Sequence, residues 1–348
     1  MTMLENEGLT VWNIRRQDFP WKGSIEEKIK FLLGYAILAP STHNVQPWLV
    51  KVKRNSCEVY ADRTIKLPQA DPKGGYLYIS LGAFIKNLII ASKYFSMFER
   101  VTYFPKKNLD LVAEVFFKKS GSKKNVNKKF EMLLGAVPQR KNNRGLFRRK
   151  KIPEYILRKI EKISTPSGIR ISYISDSGSI GKLAKLTAGG IRTLYSKKAF
   201  RYELAGFINH NLSTKRKGIP AYALKMPTPL SFIFSSLMRL FDMSVPIARV
   251  NYKSISSVPL ICVISSKNDD PKTWLEIGRM FEALTLCFEA SNVDTSIFVA
   301  ALEIDSLRKQ VKKISKARYE PRFLFCAGYI IGEIKHTPRN DVEEILMH

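Results

Sequence analysis

Ala39-Pro40-Ser41-Thr42-His43-Asn44-Val45-Gln46-Pro47-Trp48 is the stretch on which the reading of this chain turns. Upstream, Ser24-Ile-Glu-Glu27 forms a capping box, in which a hydroxyl and a carboxylate each accept the other residue's backbone N–H. It opens an apolar stripe through Ile25, Ile29, Leu32, Leu33 and Ala36 that predicts a helix, and Pro40 ends it. Downstream, Pro47 leads into Trp48-Leu-Val-Lys-Val52, a predicted strand. Between helix and strand the chain places short polar groups, Ser41, Thr42, Asn44 and Gln46, on a turn. Such a turn can hold a flat heteroaromatic with polar edges, or it can simply satisfy its own backbone.

Working outward, Glu58 to Ala61 predicts a second strand, Leu67 to Gly75 a Pro/Gly loop, Leu77 to Phe95 a long helix and Leu109 to Phe117 a strand. A basic, polar run from Lys118 to Lys129 is the best candidate for a linker between halves. The pattern then restarts with a helix at 153–163, a strand at 169–174 and a long helix at 180–208. The proline- and aromatic-rich stretch 217–252 reads as irregular. A strand at 258–265, helices at 273–290 and 306–314 and a strand at 322–330 complete the pattern. Gly82-Ala-Phe-Ile-Lys-Asn-Leu-Ile-Ile-Ala91 aligns faintly with Gly278-Arg-Met-Phe-Glu-Ala-Leu-Thr-Leu-Cys287, each a glycine leading an apolar helix.

Composition sets the limits. The 348 residues are 45% hydrophobic, enough for two units of ordinary domain size. The formal net charge of +28 would attract nucleic acid, anionic lipid or phosphorylated ligands alike. The basic runs lack interleaved aromatics, which argues against base stacking, so no specific nucleic-acid partner is expected. Four scattered cysteines read as core thiols in a reducing compartment, and the widely spaced histidines give no zinc pattern, so no metal is expected. The N-terminus lacks a secretory pattern and no uninterrupted apolar run approaches the length of a membrane span, so a cytoplasmic location is expected.

The motif Ala-Pro-Ser-x-x-Asn-x-Gln-Pro-Trp resembles the signature of the nitroreductase-like family, in which this loop contacts the flavin ring and ribityl chain across a dimer interface. The resemblance spans about residues 25–330, and it implies FMN as cofactor, with Pro40, Ser41, Thr42, Asn44 and Gln46 in contact with it. The family's phosphate-gripping Arg-x-Ser-x-Arg element has its counterpart in the second half, as Arg140-Lys141-Asn142-Asn143-Arg144. Guanidinium forks suit a phosphate dianion because two donors engage two oxygens at once. The family's loop after the C-terminal long helix maps to Val293 and Asp294. Cys326 stands where many relatives place a phosphate-binding arginine, with Arg322 as the candidate substitute.

Each half therefore carries part of a site: the first has the ring loop and only Arg15-Arg16 for phosphate, the second has the phosphate element and only Thr165-Pro-Ser-Gly168 as a loop remnant. The arrangement resembles the Acg-type branch. It implies an α+β fold of two lobes, each a mostly antiparallel sheet flanked by helices, fused as a pseudo-dimer over 1–125 and 126–348 and holding one FMN per chain. An insertion at about 205–252 is expected to form a lid, for which Arg201-Tyr-Glu-Leu204 and Gly218 to Phe241 are the candidate segments. Its apolar residues Leu230, Phe232, Ile233, Phe234, Leu237, Leu240 and Phe241 should pack over the flavin, a membrane surface being the alternative. The function implied is electron transfer from NAD(P)H through FMN to a nitroaromatic, quinone or similar flat acceptor, by a monomer, with no catalytic residue assigned. The rival readings are a non-catalytic flavin-binding protein and a basic nucleic-acid or membrane-surface module.

Overall fold

The computed structural model describes residues 7–106, 109–118, 126–333 and 335–347. After a short α1 (Glu7–Thr10), α2 (Ile25–Ala36) starts at the capping box: the Ser24 hydroxyl accepts the Glu27 N–H at 3.1 Å, and the Glu27 carboxylate accepts the Ser24 N–H at 2.6 Å. β1 (Trp48–Val52) and β2 (Ser56–Ala61) follow, then the 20-residue α3 (Gly75–Tyr94), β3 (Phe98–Tyr103) and β4 (Leu111–Phe117). These strands form one antiparallel sheet in the order β1-β2-β4-β3. β3 escapes the sequence reading because Phe-Glu-Arg-Val-Thr-Tyr is an edge strand with two adjacent charged residues and no fully buried position.

The second half opens with α4 (Glu131–Ala136), β5 (Phe147–Arg148), α5 (Glu154–Glu161) and β6 (Ile169–Ile174). The predicted helix at 180–208 is two helices, α6 (Ser177–Ser196) and α7 (Lys198–Gly206), separated by an extended Lys197. Two short parallel strands, β7 (Ile208–Asn209) and β8 (Ile219–Pro220), precede α8 (Thr228–Leu240) and α9 (Ser244–Ser256). This corrects the irregular reading of 217–252. Pro229 and Pro246 lie in the first turns of α8 and α9, where a missing N–H has no intrahelical partner to lose, so these prolines start helices instead of breaking them. β9 (Leu260–Ser266), α10 (Pro271–Glu289), β10 (Asp294–Ile297), α11 (Asp305–Ser315) and β11 (Glu320–Ile330) complete the lobe. Its antiparallel sheet runs β10-β11-β9-β6, with β5 on β11. The protein is thus α+β, with two antiparallel sheets flanked by helices.

The lobes meet where α3 packs on α10. A Cβ built on Gly82 would lie 2.2 Å from the Leu275 carbonyl oxygen, and one on Gly278 only 2.0 Å from that of Ile79. In each case the carbonyl belongs to the residue three positions before the opposite glycine. One shift in sequence therefore relates the two contacts, and the same shift relates Tyr78 to Trp274, whose rings lie 6.1 Å apart. The faint internal repeat is a local two-fold relation, with a glycine on each helix because two backbones touch there.

α3 is long and apolar enough to cross a membrane, but 78% of its most apolar window is buried, as expected of a helix shared between two cores. The last residues cross back to the first lobe. Ile345 lies in its core, the Met347 N–H donates to the Val50 carbonyl at 2.8 Å, and the Arg339 N–H donates to that of Gly8 at 2.8 Å. Most of the 118–129 linker lies outside the described residues.

Candidate functional site

The turn after α2 holds a strained backbone. His43, Asn44 and Gln46 all have positive φ (51°, 56° and 53°), a region disfavoured for side chains other than glycine. Their neighbours keep them there. The Ser41 hydroxyl accepts the Gln46 N–H at 2.9 Å. The Asn44 amide donates to the carbonyls of Gly218 (3.0 Å) and Pro338 (2.9 Å), and its oxygen accepts from Arg339 at 2.6 Å. The Gln46 amide donates to the Arg216 carbonyl at 2.8 Å while its oxygen accepts the Asn340 N–H at 2.8 Å. Asn44 and Gln46 thus spend their polar atoms on fastening three chain segments together, which leaves Pro40, Ser41, Thr42 and His43 as the turn's main open face.

Against that face lies the segment from the other lobe. It is pinned along β10: the Asn143 N–H donates to the Thr295 carbonyl at 3.0 Å, and the Asn142 side-chain oxygen accepts the Ile297 N–H at 3.0 Å. The two segments share one cleft made of two adjoining cavities, both bordered by Pro40, Ser41, His43, Asn142, Arg144 and Ile297. The first, of about 190 Å³, is largely apolar, with Tyr76, Ile79 and Ala83 of α3, Ile191 and Leu194 of α6 and Phe281 of α10 on its walls. The second, of about 100 Å³, is cationic, lined by Arg140, Lys141, Lys335 and Arg339 beside Trp12 and His336.

The cationic cavity has more positive charge than its surroundings neutralise. Arg140 is 3% exposed; it donates to the Leu38 carbonyl at 3.1 Å, and its Nε lies 3.5 Å from a carboxylate oxygen of the fully buried Glu282. Burial pushes the Glu282 carboxyl above its usual range, with Arg140 opposing the shift. Arg339 is pushed down to about 9, first by burial and then by the charge of Arg140. Its guanidinium also lies 4.9 Å from the Trp12 ring centre. Arg144 is exposed and makes no ion pair or hydrogen bond among the described residues. Two histidines are held neutral: His43 falls to about 4 through burial and the Arg144 charge, and His336 to about 3 through burial and then Lys141, Arg140 and Arg339. The Nε atoms of Arg140 and Arg339, His43 Nε2 and His336 Nδ1 are all buried without a hydrogen-bond partner. Buried donors left open around a surplus of cations suit an anionic ligand with several oxygens.

The other sequence expectations are redistributed. Val293 is buried in the second core, and the Asp294 carboxylate accepts the Ile330 N–H at 3.0 Å, closing the β10–β11 pairing. Neither lines the cleft; Ile297, Phe298 and Val299, a few residues on, do. Cys326 is fully buried in the sheet, and Arg322 is 3.0 Å from Asp269 outside both cavities, so Arg322 does not replace the missing arginine. Arg339 occupies the cationic cavity in its stead. Sequence reading missed it because Thr337-Pro-Arg-Asn340 sits in a tail without periodicity. The tail's route to the cleft is set by contacts with Asn44 and Gln46 almost 300 residues away.

The insertion does wall the cleft, through Ile219, Ala223 and Leu224 on the cationic side and Asn251 of α9 on the apolar side. None of the apolar residues expected to pack over the flavin, from Leu230 to Phe241, lines either cavity. Phe234 and Met238 are buried with Leu204 and Phe200 of α7, but Leu230, Phe232, Ile233, Leu240 and Phe241 are exposed.

Fold and cleft together define a two-lobed α+β protein in which a largely apolar cavity adjoins a cationic one. Comparison with known proteins finds relatives along most of its length. Over 325 residues, 92% of this chain and 91% of each relative, the sequence is 21% identical to two Mycobacterium tuberculosis proteins, "Putative NAD(P)H nitroreductase MT3217" and "Putative NAD(P)H nitroreductase Rv3131". The likeness runs over nearly the full length of both this chain and these relatives. No protein-family model matches it. Among solved structures, a point mutant of the FMN- and NADPH-dependent nitroreductase NfnB of a Sphingopyxis strain (12% identity, TM-score 0.42) aligns 98% of its length with 62% of this chain. A Bacteroides fragilis nitroreductase with bound FMN (11% identity, TM-score 0.37) aligns 96% of its length with 62% of this chain. Superpositions this loose do not bear on the site.

Proposed function

We propose that the cleft binds one FMN per chain and that the protein is an oxidoreductase of nitroreductase type, moving electrons from NAD(P)H to a nitroaromatic, quinone or similar flat acceptor. One observation carries this reading: the polar turn of the first lobe and the Arg140–Arg144 segment of the second converge on a single cleft whose apolar and cationic parts match the two ends of a flavin mononucleotide. The names of the two mycobacterial relatives agree with it.

Bound there, the flavin would supply two-electron chemistry, taking hydride and passing electrons on. The chain's own residues supply the rest. Arg140, Lys141, Arg144 and Arg339 hold the phosphate, and the surplus of buried positive charge favours its dianion. Pro40, Ser41, Thr42 and Asn142 border the ring's polar edge, while Asn44 and Gln46 keep the turn in its left-handed conformation. On the apolar side the Tyr76 hydroxyl donates to Glu303, whose carboxyl is held above its usual range by burial and by the charge of Asp71. This pair can hold a proton beside an acceptor stacked in the slot. The walls from α6, α7 and α9 exclude water, and the segment 205–252 acts as the lid over the lobes 1–125 and 126–348.

The two-fold relation between α3 and α10 supports a limit of one cofactor. Ala83, which leaves room in the slot, corresponds to Arg279, whose guanidinium pairs with Glu276 and lies 4.6 Å from the Tyr103 ring centre. Long charged side chains fill the second position.

Titration of the purified protein with FMN, followed by flavin fluorescence and absorbance, tests the binding; no saturable change would reject it. A second reading, a flavin-binding protein without turnover, is favoured by the walls that the insertion adds to the cleft. Stopped-flow mixing separates the two readings. Bleaching of the flavin bands by NADPH or NADH supports the oxidoreductase, whereas bleaching by dithionite alone supports storage.

A further inference from the structure

α8 carries two apolar stripes, and only one of them is used. Ser231, Phe234 and Met238, at i, i+3 and i+7, face the core beneath the helix and are buried. Leu230, Ile233, Leu237 and Leu240 keep the same spacing one position earlier or later and form an outer stripe, continued by Phe241 beyond the helix end. The chain bends by 117° into α9, which carries two further exposed apolar side chains, Val245 and Val250. Seven large apolar side chains between Leu230 and Val250 are 40–70% exposed, nearly half of all such residues on the surface formed by the described residues. So dense an apolar patch on a protein surface marks a docking site.

Charge identifies what docks. From residue 177 to residue 256 the sequence has 13 Lys and Arg against two acidic residues. Each acid accepts backbone N–H groups, Asp242 from an exposed position in the turn between α8 and α9. Asp242 accepts the Ser244 N–H at 2.8 Å to start α9, and Glu203 accepts the N–H groups of Gln69 and Ala70, each at 2.8 Å. Arg239, Arg249 and Lys253 are exposed on the same two helices as the apolar residues. Aromatic and aliphatic side chains beside three exposed cations, against the single acid Asp242, match the interface of an anionic bilayer: the apolar groups enter the acyl boundary and the cations meet lipid phosphates.

We propose that the outer face of the α8–α9 hairpin docks this protein on an anionic phospholipid surface. Because α9 also walls the apolar cavity through Asn251, the docked face adjoins the proposed electron-transfer site. The docking does not depend on flavin binding.

Flotation of the full chain with vesicles of phosphatidylglycerol and phosphatidylcholine, against vesicles of phosphatidylcholine alone, tests the proposal. The protein should float with the anionic vesicles and not with the neutral ones, and 1 M salt should weaken binding. The Leu240→Ser/Phe241→Ser variant should lose at least about tenfold in partitioning, since two exposed apolar side chains leave the interface. Arg249→Glu with Lys253→Glu should lose binding with the apolar face intact. Unchanged melting of each variant keeps folding separate from docking, and flavin occupancy, read on the same samples, keeps this proposal separate from the cofactor. Three results would overturn it: no flotation, equal flotation with both vesicle types, or a concentration-dependent dimer that the serine substitutions dissociate, which would assign the face to a second copy of the chain.

Discussion

Arg140 and Arg144 stand four residues apart and are expected to fail differently when removed. Arg144 is exposed and makes no ion pair or hydrogen bond among the described residues, so Arg144→Ala disturbs little in the apoprotein. In the complex it would remove one charge-assisted contact to phosphate, ~1.5–3 kcal/mol, or about a 10- to 150-fold rise in the FMN Kd. Its exposure puts the effect toward the lower figure at physiological salt, where water and ions screen the charge. Arg140 is buried beside Glu282, so Arg140→Ala also leaves a carboxylate in the core without its cation, a loss of roughly 3–5 kcal/mol of stability. FMN titrations at low and moderate salt, paired with apoprotein melts, measure both quantities. Arg144→Ala should shift affinity alone, Arg140→Ala affinity and melting together, and the double variant should release the flavin. Wild-type affinity in Arg144→Ala at low salt would refute the phosphate assignment, and an unaltered melt in Arg140→Ala would refute the account of the buried pair.

Gly278→Ala should destabilise the lobe contact by ~1–3 kcal/mol or more, because its Cβ would sit 2.0 Å from the Ile79 oxygen and α3 would have to move; a chemical denaturation curve matching wild type would rule out the close approach. Asn44→Ala should cost about 3–5 kcal/mol, combining two lost amide bonds, a lost charge-assisted bond to Arg339 and the exchange of asparagine for alanine, which tolerates φ 56° less well, with differential scanning calorimetry as the check. Stability should fall as pH drops from about 6.5 toward 4, because the unfolded chain protonates at the ordinary histidine pKa while folded His43 resists until about 4. The slope from that one group is at most about 1.4 kcal/mol per pH unit, and His43→Gln should flatten the profile if the assignment is right.

Much of the architecture was legible because it is written in local chemistry. The capping box fixed the start of α2 and continuous apolar runs marked α3, α10, β9 and β11, whereas the faint repeat aligned Gly82 with Gly278 without showing that the two helices touch. The polar turn and the Arg140–Arg144 element were also visible, as motifs. What those motifs do depended on packing that leaves no local trace. Asn44 and Gln46 looked like ligand contacts, yet their amides bind backbone carried in by the insertion and the tail. Pro229 and Pro246 looked like breaks, but a proline costs a helix nothing in its first turn, and only the fold shows which turn it occupies. Sequence periodicity tells that a face is apolar; whether that face meets a core, as Phe234 does, or solvent, as Phe241 does, depends on which elements come to lie against it. The same holds for Arg339. Nothing near it in sequence distinguishes it among 58 basic residues, and its place in the cationic cavity comes from contacts across almost 300 residues of chain.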